Sequence, residues 1–214
     1  MSAYNYEEQE KIDWLKAWWA ANGTAVLFFI AIFAATVAGS RLWNHYQGEQ
    51  ARQAADLYTV LQQHVERGSE LVKITDAAHL LTEGFPDSGY AVRAALIVAR
   101  AAVQAGNDQV ARDMLQWALD HAKEPEIKDL TRLRLASVLV DEGKYDQALK
   151  LLDGQHGASF TGLYADLRGD ALAATGKIDE ARAAYQKALE SLSSQSAYSN
   201  IVQMKRSVLR DQQQ

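Results

Sequence analysis

Residues 169–188 read GDALAATGKIDEARAAYQKA, and the reading of this stretch decides the fold. Gly176 has Gly169 seven residues before it, Ile178 two after it, Ala181 five after it and Tyr185 nine after it. The same spacing occurs twice upstream. Gly143 is preceded by Ala136 and followed by Tyr145, Ala148 and Leu152; Gly106 is preceded by Ala99 and followed by Ala111 and Leu115. Ala118 and Ala188 fall three residues further on in the first and last of these segments. The glycines stand 37 and 33 residues apart, near the roughly 34-residue period of tetratricopeptide repeats. In that register each glycine ends the first helix of a pair in a left-handed conformation that other residues adopt only at a cost. The small residue before it sits where the paired helices cross, and the leucine or tyrosine after it fills the gap between pairs.

The register predicts helix pairs at 88–105 with 107–122, 126–142 with 145–153, and 160–175 with 178–192. A degenerate pair precedes them at 50–67 and 71–83, closed by Phe85-Pro86, with Leu57, Tyr58, Leu61 and Val65 as its apolar stripe. Tyr198, Ile201, Val202, Val208 and Leu209 mark 197–211 as a capping helix over the last repeat. Composition agrees: 48% of the residues are hydrophobic and only two are proline, so little opposes helix.

From Gly23 to Ser40 no residue is charged, and the run ends at Arg41. A helix over 24–42 spans about 28 Å, close to the thickness of a hydrocarbon core. Trp18 and Trp19 before it, with Trp43 and Tyr46 after it, are the aromatic anchors of a full crossing. The alternative is a cleavable signal peptide, but Glu7, Glu8, Glu10 and Asp13 make the leading segment long and acidic rather than short and basic. Ile12, Leu15, Trp18 and Trp19 share a helical face within 7–21, which predicts an amphipathic surface helix running into the span; a floppy terminus that merely supplies anchors is the alternative. Ala31, Ala35 and Gly39 recur every four residues and form a small-residue face where another membrane helix can pack. Lys11 and Lys16 on one side balance Arg41 and Arg52 on the other, so the positive-inside count is a tie. The expected organisation is an N-terminal amphipathic segment at 1–22, a transmembrane helix at 23–43, a linker at 44–49, and a repeat domain with its cap at 50–214. The fold class is all-α: a tetratricopeptide-like helical repeat solenoid preceded by a single transmembrane helix.

The net charge of −5 argues against nucleic acid as a partner. The chain has no cysteine, hence no disulfide, thiol nucleophile or zinc-thiolate site. It carries no phosphate-binding glycine loop, nucleophile elbow or zinc-binding helix motif, and its five histidines are scattered. No catalytic, metal or cofactor site is expected. What the register offers is a groove, since first helices line the concave face of such solenoids. Leu96, Arg100, Val103, Leu133, Ser137, Val140, Asp166 and Asp170 fall at the groove positions, with Arg100 and Asp166 as charges able to steer a complementary partner. Leu96, Leu133 and Val140 are equally readable as core. Where carboxylate-clamping tetratricopeptide domains place lysine and asparagine, the first clear repeat has Leu96 and Arg100, so that clamp is missing.

The chain resembles the YfgM-like ancillary subunits of the SecYEG translocon. The residues that carry the resemblance are Glu7-Glu8-Gln9-Glu10, the segment from Trp14 to Gly23, Arg41-Leu42-Trp43-Asn44, and the segment from Ala165 to Leu172. The resemblance implies a bacterial inner-membrane protein with a cytoplasmic N-terminus and a periplasmic repeat domain. It implies a protein-binding adaptor or chaperone that passes secreted polypeptides from the translocon to periplasmic chaperones. The implied partners are SecYEG, a membrane-anchored prolyl isomerase of the PpiD type, and the secreted clients; no catalytic residues come with it. A cytosol-facing tetratricopeptide receptor and an envelope-assembly scaffold are the alternative readings.

Overall fold

The computed structural model describes residues 3–193 and 196–211, with the side chains of 10–193 and 196–209. The described residues form nine α-helices and one short 3-10 turn, with no strand. The chain divides into two compact units, Met1–Arg52 and Gln53–Gln214.

The first unit is a single uninterrupted helix, the leading part of α1 (Ala3–Glu66). It holds no proline, and isolated glycines such as Gly39 and Gly48 cost about 1 kcal/mol each without ending a helix. Its most apolar window has a mean hydropathy of 2.0, and the protein buries none of it. Phe28, Phe29 and Phe33 are all largely exposed. Thr36 donates its hydroxyl to the Ile32 carbonyl at 2.9 Å and Ser40 to that of Val37 at 2.8 Å, so these two hydroxyls are satisfied within the helix. The Trp18 and Trp19 rings lie 6.5 Å apart on one side of the window, and Trp43 and Tyr46 lie 6.4 Å apart on the other. The helix is long and apolar enough to cross a membrane once.

Residues 44–49, expected to be a linker, are helical. Their polarity says which solvent they meet, and with no proline among them nothing stops the backbone hydrogen-bond ladder. The segment 7–21 is helical and runs without a break into the span; the side chains of Glu7, Glu8 and Gln9 lie outside the described residues.

The second unit begins with the end of α1. It continues with α2 (Leu71–Gly84), α3 (Gly89–Gln104), α4 (Asp108–His121), α5 (Pro125–Asp141), α6 (Tyr145–Leu152), α7 (Thr161–Ala174), α8 (Ile178–Ser191) and α9 (Ala197–Asp211). Helices α3 and α4, α5 and α6, and α7 and α8 pack as pairs. Their ends are written locally. Ser88 accepts from the Tyr90 N–H and Asn107 from the Val110 N–H, both at 3.2 Å, capping α3 and α4; Pro125 opens α5. Gly106, Gly143 and Gly176 have φ of +71°, +75° and +77°. After each, the next N–H reaches back over the turn: Asn107 to Ala102 at 2.8 Å, Lys144 to Leu139 at 2.7 Å, and Lys177 to Leu172 at 3.0 Å. Gly68, with φ of +62°, ends α1 in the same way, which extends the pattern to the degenerate pair.

The core follows the repeat register. Ala111, Ala148 and Ala181 are fully buried, as are Leu115, Leu152 and Tyr185 within a few per cent. Ala99, Ala136 and Gly169 are also buried, at the crossings. Val202 and Leu209 of α9 complete the last cluster, alongside Ala165, Leu172 and Ala184.

Candidate functional site: a cleft between two first helices

Helices α3 and α5 are the first members of consecutive pairs, and an open cleft of about 410 Å³ lies between them. Its apolar lining is Leu96, Ala99, Val103, Leu115 and Val138; its polar lining is Arg100, Gln104, Arg134, Ser137 and Asp141. Leu96 and Val138 are 8% and 5% exposed and form the floor, whereas Val103 is 45% exposed and Arg100 and Arg134 reach solvent.

The orientation of α5 is held from its N-terminal end. The buried Asp129 accepts from the Gly157 N–H at 2.8 Å and pairs with Arg132 at 3.1 Å. Arg132 also donates to the Gln155 carbonyl at 2.9 Å, and the Tyr164 hydroxyl donates to the Asp129 carbonyl at 2.8 Å. Burial pushes the Tyr164 phenol up, so it remains the donor. At the other end Glu142 takes Arg112 of α4 at 2.7 Å and Lys144 at 3.1 Å. The Arg112 hydrogen bond holds the Glu142 carboxyl below its ordinary range, against a smaller opposing effect of desolvation.

Among the described residues the ion-paired arginines are Arg52, Arg112, Arg132, Arg168 and Arg182. Arg100 and Arg134 are not among them. Asp141 also lines the cleft, and its carboxyl is held above the ordinary range by partial burial, then by the charges of Asp108 and Asp170.

Of the groove residues read from the register, Leu96, Arg100, Val103 and Ser137 line this cleft. Leu133 and Val140 do not; they are half-buried against the core. Their places on α5 are taken by the next residues along, Arg134 and Asp141. One residue turns a helix by about 100°, and the contrast of Leu133 with Arg134 and Val140 with Asp141 was the available signal: the apolar member faces the core, the charged one the cleft.

Asp166 and Asp170 lie elsewhere. Asp166 is 2% exposed, beneath α9. Its carboxylate accepts from Tyr198 at 2.6 Å and from Lys205 at 3.0 Å. Lys205 also reaches Asp170 at 2.7 Å, and the Tyr185 hydroxyl donates to Asp170 at 2.8 Å. Asp166 is therefore not an open steering charge: its carboxylate is spent on holding the cap. Burial, then the hydrogen bonds to Asp170 and Asp166, push the Tyr185 and Tyr198 phenols far up. Burial alone would lower the Lys205 ammonium, but the bonds to Asp170 and Asp166 outweigh it and hold it above its ordinary value.

Among the described residues no cluster of histidine, aspartate and glutamate is arranged to hold a metal ion. The cleft has an apolar floor and charged side chains on its rim.

The family of tetratricopeptide repeat-like domains matches this chain over residues 16–211. A protein of Neisseria gonorrhoeae named ancillary SecYEG translocon subunit is 29% identical over 203 residues, covering 95% of this chain and 97% of its own. Proteins of the same name from Escherichia coli K12 and Haemophilus influenzae are 30% and 29% identical, covering 92% and 88% of this chain and 94% and 92% of theirs. The match runs through the apolar helix, the repeats and the cap alike, and the chain belongs to the tetratricopeptide repeat-like family of YfgM-type ancillary SecYEG translocon subunits.

Proposed function

We propose that this protein is an inner-membrane adaptor of the SecYEG translocon that receives secreted polypeptides and passes them to periplasmic chaperones. The observation that carries the reading is the α3–α5 cleft, a concave site with an apolar floor and charges on its rim, on a chain whose apolar α1 window can anchor it in lipid. The relatives' name supplies the translocon as the machine served. In this reading 1–22 is cytoplasmic, 23–43 spans the membrane, and the repeat domain with its cap faces the periplasm. A membrane-anchored prolyl isomerase of the PpiD type is the expected neighbour. Arg100, Val103 and Ser137 of the cleft meet clients or chaperones, while the Ala31, Ala35 and Gly39 face meets another membrane helix.

Photoreactive residues placed singly at Val103 and at Gly39 in living cells test both contacts. The expected products are secreted polypeptides or the isomerase from Val103, and a translocon subunit from Gly39. Crosslinks from Gly39 alone would move the partner contact to the anchor, and the lack of any translocon or client product from either position would overturn the proposal. A reporter enzyme fused after Gln214 reads the topology: activity confined to the cytoplasm would leave a cytosol-facing receptor instead.

A further inference from the structure

We propose that the α3–α5 cleft selects an extended segment of a partner protein in which a carboxylate side chain lies beside a bulky aliphatic or aromatic one. This rests on the cleft being the protein-binding site and adds what it prefers. The apolar half of the preference comes from Leu96, Ala99, Val103, Leu115 and Val138, contiguous in the lining. A side chain seated there removes its own surface and that of the exposed Val103 from water.

The acidic half comes from Arg100 and Arg134. Each stands on the rim, one on either helix, and neither is in an ion pair among the described residues. Guanidinium groups are weakly hydrated and present a planar fork that fits a carboxylate. Asp141 does not cancel them: among the described residues it is in no ion pair with either arginine. It stands seven residues beyond Arg134 on the same helix, a rise of about 10 Å, or roughly three residues of extended chain. The cleft is thus polar along its length. It accepts an acid beside the arginines and disfavours one beside Asp141.

The test uses the full chain in lipid nanodiscs and three fluorescent decapeptides that share a central Leu-Phe-Leu. One carries two glutamates on one flank, one carries lysines there and one serines. A photoreactive residue at Val103 reports whether each peptide sits in the cleft. The glutamate peptide is expected to bind about five- to tenfold more tightly than the lysine peptide, the scale of two exposed ion pairs, and to lose the advantage as salt rises. Replacing both arginines (Arg100→Gln with Arg134→Gln) should abolish the preference of glutamate over lysine and leave the melting temperature unchanged. Equal affinity for all three peptides, with crosslinking at Val103 intact, would overturn the charge selection and leave the site reading standing. Absence of crosslinking from Val103 with every peptide would remove the site and this inference with it. Crosslinking of Val103 to a second copy of the chain, with no peptide product, would assign the cleft to self-association and overturn both.

Discussion

At Gly169 a side chain has no room, because a Cβ there would lie 2.5 Å from Cδ1 and 2.9 Å from Cζ of the Tyr185 ring. The equivalent pairs in the other repeats are Ala99 with Leu115 and Ala136 with Leu152, so a larger filler goes with a smaller crossing residue. Gly169→Ala sets two effects against each other. Helix propensity favours alanine by about 1 kcal/mol, whereas overpacking in a closed core costs about 1–3 kcal/mol. The contact is to the rigid flank of an aromatic ring, so the clash wins and the variant should melt at lower temperature. Adding Tyr185→Leu recreates the pairing of the other repeats, and the double variant should lose less than the sum of the single losses, by about 1 kcal/mol in denaturant titrations. Additive losses would place the tyrosine away from Gly169. This relation was legible in the sequence because both residues hold fixed places in the repeat. Asp166 was not: its partners Tyr198 and Lys205 are 32 and 39 residues away, and no helical period links a carboxylate to a lysine at that distance.

Helix α9 shows what such remote pairs do for an element. It is held by Val202 and Leu209 in the core and by Lys205 between Asp166 and Asp170. Lys205→Met leaves two carboxylates facing each other, with the Asp166 side chain only 3% exposed; leaving that buried carboxylate one donor short costs about 1–3 kcal/mol. The pH dependence has a definite sign. Lys205, Tyr185 and Tyr198 all titrate higher in the folded chain than when unfolded. Their contribution is complete below their ordinary values near about 10 and is lost as pH rises through the raised ones. Proteolysis of α9 should therefore accelerate in strongly alkaline buffer, and Lys205→Met should accelerate it already at neutral pH. Equal proteolysis of Lys205→Met and parent at neutral pH would mean that the ion pairs do not hold the cap. Helix limits were readable where glycine stops them: α3, α5 and α7 end within one or two residues of their predicted limits. The cleft face of α5 was missed by one residue because a period places a helix in a repeat before it fixes its rotation.

As a whole the chain joins two solutions to the same problem of apolar surface. The second unit buries its own in three clusters, while the apolar window of α1 buries none and requires lipid. Phe29→Arg places a guanidinium near the middle of that window, and insertion should become less favourable by about 2.5–3.5 kcal/mol. Fractionation should then show the chain leaving the membrane pellet; a chain that stays there in urea as the parent does would mean that another segment anchors it. The repeat unit also has an end to account for. Each helix pair offers on its last side a seat of the kind its neighbour's first helix fills, a head-to-tail relation with no rotation that closes it. Val202 and Leu209 fill the final seat from within the same chain. A chain cut before Ala197 would leave that seat open and turn the apolar surface now covered by Val202 and Leu209 out to water, so α9 is what makes the last repeat a finished surface.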